Sequence, residues 1–150
     1  MGAYNFTMSL GLRHPDIDPA RITQALALEP DHVWRRGDRR VDANGAVLTG
    51  AHRDSYWVAD FVRSSALVGE RADVEGELSR LLQSLRKAME FMQGLRHGGG
   101  AAELFVTIYA SGDFHLSLMA DEASLLGRLG ITMTLEVKPF PAAAGAPSMS

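Results

Sequence analysis

Apolar Tyr4, Phe6, Met8 and Leu10 alternate with polar Asn5, Thr7 and Ser9 at the start of the chain. A period of two is the pattern of a strand with one buried face, and Pro15 ends it. Asp18 then reads as an N-cap with Pro19 at the first helical position, where its missing N–H costs nothing. Ile22, Ala25 and Leu26 give the short helix an apolar stripe, and Pro30 stops it from continuing. Residues 32–41 and 54–63 read as two further strands. The polar loop between them holds Asn44-Gly45, which favours positive φ, but it is too long for a two-residue hairpin.

The longest helix is predicted to begin near Asp73. Val74, Leu78, Leu81, Leu82, Leu85, Met89 and Met92 recur at steps of three and four, opposite Glu77, Arg80, Arg86, Lys87 and Glu90. Gly98-Gly99-Gly100 ends that helix, since three glycines do not sustain one cheaply. Leu104, Val106 and Ile108 start another alternating strand, and Ser111-Gly112-Asp113 turns the chain. Phe114, Leu116 and Leu118 predict a strand with His115 and Ser117 on its other face. Asp121 is expected to cap a short helix whose C′ residue is Gly130. Ile131, Met133, Leu135 and Val137 alternate with Thr132, Thr134, Glu136 and Lys138 in a closing strand.

Strands with one polar face and helices with one apolar stripe predict an α+β fold. The expected form is a two-layer sandwich, a mostly antiparallel sheet with helices packed on one face, related to the ferredoxin-like arrangement. The opening and closing strand–helix–strand runs have similar lengths, which points to an internal duplication. Residues 1–140 are expected to form a single domain. The segment 141–150, rich in small residues and proline, is expected to be a disordered tail.

Composition narrows the function classes. A hydrophobic fraction of 46% and a charged fraction of 22% are those of a globular protein. Fifteen Lys+Arg against eighteen Asp+Glu leave a formal charge of −3, which argues against whole-surface attraction to nucleic acid or anionic membrane. Without cysteine there is no disulfide, no thiolate nucleophile and no Cys-based metal site. No apolar run approaches the roughly 20 residues needed to span a bilayer. Residues 1–14 lack the basic and apolar regions of a signal peptide, so the expected location is cytoplasmic.

Several motif look-alikes fail on their partners. His97-Gly98-Gly99-Gly100 matches an oxyanion element of esterases, but no G-x-S-x-G elbow accompanies it. Gly45 to Gly50 has the spacing of a phosphate loop, yet Ala51-His52 stands where Lys and Ser or Thr are required. The five His residues are scattered, and no pair sits at i, i+4. His14 with Asp16 and Asp18, or His52 with Asp54, is at most a weak divalent site, and Asp18 already has a capping role. No metal, cofactor or catalytic residue is assigned.

Chemistry concentrates in Trp34-Arg35-Arg36-Gly37-Asp38-Arg39-Arg40 and in Arg53, Ser55, Tyr56 and Trp57. Guanidinium groups bind carboxylates bidentately and stack on aromatic rings. The residues Trp34, Arg35, Arg36, Gly37, Asp38, Arg39, Arg53, Tyr56 and Trp57 therefore form a candidate binding surface. The same residues also have a purely structural reading. Trp34 and Trp57 would then be cross-strand core neighbours, with the arginines paired to Asp38, Asp42 and Asp54.

The runs Leu26-Ala27-Leu28-Glu29-Pro30, Val33-Trp34-Arg35-Arg36-Gly37-Asp38 and Ser55-Tyr56-Trp57 resemble domain-of-unknown-function family 4279 (DUF4279). The resemblance covers roughly residues 4–138, closing with Leu129-Gly130-Ile131 to Val137. It implies a small, mostly bacterial α+β protein and carries no catalytic assignment.

The leading functional expectation is a small non-catalytic binding or protein-interaction module. The alternative is a small-anion or nucleotide-binding protein, with weak hydrolase-type activity using Asp38 or His52 as an acid–base group. The expected partner is a protein or a small anionic ligand. A homodimer through an exposed sheet edge or apolar sheet face is a third reading.

Overall fold

The computed structural model describes residues 4–62 and 73–139. Its elements in chain order are β1 (Tyr4–His14), α1 (Pro19–Leu26), β2 (His32–Trp34), β3 (Arg39–Val41), β4 (Val47–Ala51), β5 (Ser55–Val62), α2 (Val74–Arg86), α3 (Met89–His97), β6 (Ala101–Ala110), α4 (Ala120–Leu129) and β7 (Ile131–Lys138). Five strands form one sheet in the order β2-β5-β1-β6-β7, and β3 and β4 form a separate hairpin. The expected disordered tail, residues 141–150, lies outside the described residues.

The alternation along β1 decides the layering. Phe6, Met8, Leu10 and Leu12 are buried, as are Ala102, Leu104, Val106 and Ile108 of the neighbouring β6. Register pairs Leu10 with Leu104 and Leu12 with Ala102, so the two apolar rows share one face. Ile22, Leu78, Leu82, Leu85, Met92 and Leu129 bring the helices onto that face in a single core. The opposite face carries Thr7, Ser9, Arg13, Glu103, Phe105 and Tyr109, none of them buried. The fold is thus α+β, with a mostly antiparallel sheet.

β1 is antiparallel to both β5 and β6, β2 is antiparallel to β5, and β6 is parallel to β7. β2 therefore runs parallel to β1 with β5 between them, so β1–α1–β2 is a split strand–helix–strand unit. The closing β6–α4–β7 is a second such unit, with its strands adjacent.

Four expectations differ. The polar loop after 32–41 contains a strand, β4, paired with β3. The strand at 32–41 is instead β2, a turn and β3, because the chain leaves the main sheet at Arg35 and enters the hairpin. The long helix breaks after Arg86: Ala88 takes φ −103°, ψ 20°, and its N–H donates to Leu85 O. Leu85, Ala88, Met92 and Leu95 are all buried across the break. The apolar stripe never changes phase there, which is why periodicity does not reveal it. The strand expected at Phe114–Leu118 does not form. Its alternation is real, with Phe114 and Leu116 half-buried, but the segment runs past the start of α2 without a partner strand among the described residues. Ser117 N–H donates to Glu75 Oε2 instead (2.6 Å), and Phe114 meets Tyr4 edge-on at 5.0 Å.

The helix ends follow local chemistry. Asp18 Oδ1 accepts from Ala20 N–H (3.0 Å), and Asp73 Oδ1 accepts from Gly76 N–H (2.6 Å). Met119 rather than Asp121 is the N-cap of α4, and Asp121 falls in its first turn. Gly130 ends α4 with φ 74°, as expected. Gly100 lets the chain close against α3: a Cβ there would sit 2.6 Å from Leu95 O, to which Gly100 N–H donates.

Tyr4 ties the start of β1 to α2, its hydroxyl oxygen accepting from Val74 N–H (3.0 Å). Burial raises its phenol above the ordinary 10.0, helped by Asp73 and Glu75 and partly opposed by the Val74 bond. A raised folded-state value means that the neutral phenol's contribution is complete below pH 10.0 and is lost as pH rises through the folded value. Tyr4→Phe should cost about 1 kcal/mol of unfolding free energy near neutral pH, through the lost acceptor. In urea unfolding, that deficit should shrink only as the pH passes into the alkaline range above Tyr4's ordinary value.

Candidate functional site

Register separates the two tryptophans. Trp34 pairs with Tyr56, whereas Trp57 pairs with Val33, so Trp34 and Trp57 are staggered by one residue and lie on opposite faces. Trp57 is fully buried on the helix side, where its Nε1–H donates to Thr23 Oγ1 of α1 (3.0 Å). It is therefore a core residue and is removed from the candidate binding surface. It is not packed beside Trp34 in the core either, because the stagger forbids it.

Trp34 remains on the open face, half-buried. Its ring stacks on His52, with centroids 4.4 Å apart and planes at 17°, and meets Tyr56 at 4.7 Å and 30°. The Arg13 guanidinium lies 5.4 Å from the centre of the Tyr56 ring. His52, Trp34, Tyr56 and Arg13 thus form one continuous row, its last three members on β2, β5 and β1. A cation over an aromatic face contributes about 0.5–1 kcal/mol where it is exposed.

The turn after Trp34 is built by backbone hydrogen bonds. Asp38 Oδ2 accepts from Arg35 N–H (2.8 Å), and Asp38 N–H donates back to Arg35 O (3.0 Å). Gly37 N–H donates to His52 O, and His52 N–H to Asp38 O, each at 2.9 Å. Arg36 N–H donates to Oγ of Ser55, a fully buried residue (3.1 Å). Gly37 sits at φ 93° with open space around it, so the demand is for the left-handed backbone alone.

This wiring overturns the expected arginine–aspartate pairs. Asp38 is spent on the turn, and Asp42 Oδ1 accepts from Asn44 and Ala46 N–H (2.9 Å each) at the hairpin tip. Arg35 instead faces Asp18 at 3.7 Å, and Arg40 Nη1 donates to Thr49 O (3.2 Å). Arg36, Arg39 and Arg53 are exposed. Among the described residues, none of these three guanidinium groups forms an ion pair.

Three hollows adjoin these residues. A groove of about 200 Å³ on the open face runs between Tyr56 and Phe105, with Arg13, Glu103 and Thr132 beside it and Gly11 as its floor. A Cβ at position 11 would lie 3.0 Å from the Tyr56 hydroxyl, so glycine is what lets Tyr56 lie across β1. A larger cleft of about 590 Å³ is lined by His14, Asp16, Asp18, Arg21, Arg35 and Phe91. His14 Nδ1 accepts from the N–H groups of Asp16 (3.1 Å) and Ile17 (3.0 Å). The Asp16 carboxylate lies 3.4 Å from the same nitrogen. A third hollow of about 350 Å³ reaches Asp38 and Trp34 and shares Asp18 and Arg35 with the large cleft.

For acid–base chemistry the arrangement offers little. The Asp38 carboxylate holds the turn and the His52 ring lies on Trp34, so both proposed groups are already engaged. His14 Nδ1 and Asp18 Oδ1 likewise accept from backbone N–H groups, and Asp18 Oδ2 faces Arg35. No cluster of three or more His, Asp or Glu that could hold a metal occurs among the described residues.

Sequence reasoning missed Gly11, Arg13, Glu103 and Phe105. Phe105 carried a signal, since it is a large aromatic at a polar-face position of an alternating strand. Arg13 continues the polar row of Asn5, Thr7 and Ser9 toward the end of the strand before Pro15.

The chain belongs to the family described as a domain of unknown function (DUF4279), whose model matches residues 4–138. That span runs from the first residue of β1 to the last of β7. No curated protein and no solved structure matches the chain.

The opposite placement of the tryptophans has a direct thermodynamic consequence. Trp57→Ala should cost about 3–5 kcal/mol of unfolding free energy. Trp34→Ala should cost only its ring contacts, about 0.5–1.5 kcal/mol. Urea denaturation of the two variants measures both, and equal costs would contradict the assignment.

Proposed function

We propose that this protein is a small non-catalytic binding module that grips an acidic protein partner with the open sheet face around β2, β5 and the Arg35–Asp38 turn. The observation that carries this reading is the aromatic row His52–Trp34–Tyr56–Arg13 on the sheet face that the described helices leave open, beside three guanidinium groups that form no ion pair among the described residues. Aromatic rings and arginines are the side chains that dominate contact energies at protein interfaces. Their pre-organisation here by stacking and by the Asp38 turn lowers the entropy lost on binding. The fork of an arginine suits a carboxylate better than a diffuse negative field, which favours Asp- or Glu-rich partners.

A second reading, a small anionic ligand, is favoured by the 590 Å³ cleft, which has the size of an ordinary ligand site and presents Arg21 and Arg35. Asp16 and Asp18 share its lining and weaken the attraction for an anion.

Capture from the protein's own cells followed by titration calorimetry separates the two readings. With Arg36 and Arg39 both changed to Glu, affinity for the captured partner should fall by at least about 100-fold, on the order of 1.4 kcal/mol for each tenfold step. Raised salt should weaken the unmodified protein in the same direction. Unchanged affinity in the double variant would sink the proposal. A tightly held molecule of a few hundred daltons in native mass spectrometry, lost in Arg21→Ala, would favour the cleft instead.

A further inference from the structure

β7 is an edge strand, and its helix-side face is only half covered. α4 precedes it and runs back across it, but ten helical residues span only about 15 Å, while the eight residues of β7 extend about 26 Å. The exposure gradient follows from this mismatch. Ile131 is buried and Met133 partly so, whereas Leu135 is 42% and Val137 50% exposed. At the level where α4 begins, Leu118 (36%) and Met119 (65%) are exposed as well. An apolar patch therefore flanks an eight-residue strand whose outer edge pairs with no strand among the described residues. Edges of this kind recruit another strand unless they are blocked.

We infer that β7 pairs antiparallel with β7 of a second copy, joining two five-stranded sheets across a two-fold axis at Leu135. Self-complementarity of the strand selects this occupant. Centred on Leu135, the axis sets Leu135 against itself and Met133 against Val137, which covers the exposed apolar row. On the open face, Thr134 meets Glu136 and Thr132 meets Lys138, so no like charges stand directly opposite. Centring on Glu136 would oppose two carboxylates and is disfavoured. Glu136 and Lys138 of one strand already pair at 3.3 Å, leaving little net charge at the joint. A perpendicular two-fold keeps both helix layers on the same side, so Leu118 and Met119 of each copy extend the apolar contact. This interface lies at the opposite edge of the sheet from β2 and leaves the aromatic row free.

The absence of cysteine makes the test clean. Sedimentation equilibrium should give twice the 16.3 kDa chain mass for the unmodified protein. Leu135→Lys, which places two ammonium groups at the axis, should return the chain mass with an unchanged far-ultraviolet circular dichroism spectrum. Independently, Leu135→Cys should oxidise to a covalent dimer at least about tenfold faster than Ser84→Cys, an exposed control on α2, because residues opposite each other on antiparallel strands have Cβ atoms only about 5 Å apart. A monomeric unmodified protein, a dimer that survives Leu135→Lys, or equal cross-linking rates at the two cysteines would each overturn the proposal.

Discussion

Phe6, Met8, Leu10 and Leu12 point from the central strand into the helices, and almost every other feature follows from that one-sided burial. β1 pairs along nearly its whole length with β6 and along its second half with β5, so its apolar row sets the phase of both neighbours. Once that phase is set, residues at odd and even positions are committed to different work. Those facing the helices exclude water, and Trp57 is the largest of them. Those facing outward are free to carry chemistry, and there the chain places Arg13, Tyr56, Trp34 and Phe105.

The Trp34-to-Asp38 run shows how local and tertiary determinants divide. Gly37 and Asp38 are turn residues for reasons internal to the turn, a positive φ and a carboxylate that accepts a backbone N–H. What they achieve is not local, since the same turn is pinned by Ser55 and His52 on the returning chain. The result is a hydrogen-bonded turn from which Arg36 and Arg39 project while Asp38 and Asp42 accept from the backbone. The exposed arginines here reflect the choice of hydrogen-bond acceptors rather than an excess of basic residues, which the chain does not have.

Legibility in the sequence was greatest where periodicity and caps act alone. β1, α1, β6, α4 and β7 follow from alternation, Asp18-Pro19 and Gly130. It failed where a partner decides the outcome. Phe114 to Leu118 alternates as a strand would, but among the described residues no strand lies beside it. The 85–92 stretch keeps one apolar stripe through a helix break, because burial constrains which residues face the sheet and not whether the axis is continuous. At the site, Trp34, Tyr56 and the arginines could be named from composition. That Trp57 turns inward depends on a one-residue stagger between β2 and β5, which no window of sequence contains.

The division of the sheet into a buried and an open face can be measured directly, because each tryptophan reports one face. Trp34→Phe and Trp57→Phe leave single-tryptophan proteins whose fluorescence can be quenched with iodide. Trp57 should emit at shorter wavelength and resist quenching, whereas Trp34 should emit at longer wavelength and be quenched readily by iodide. Equal quenching of the two, or a protected Trp34 beside an accessible Trp57, would contradict that division.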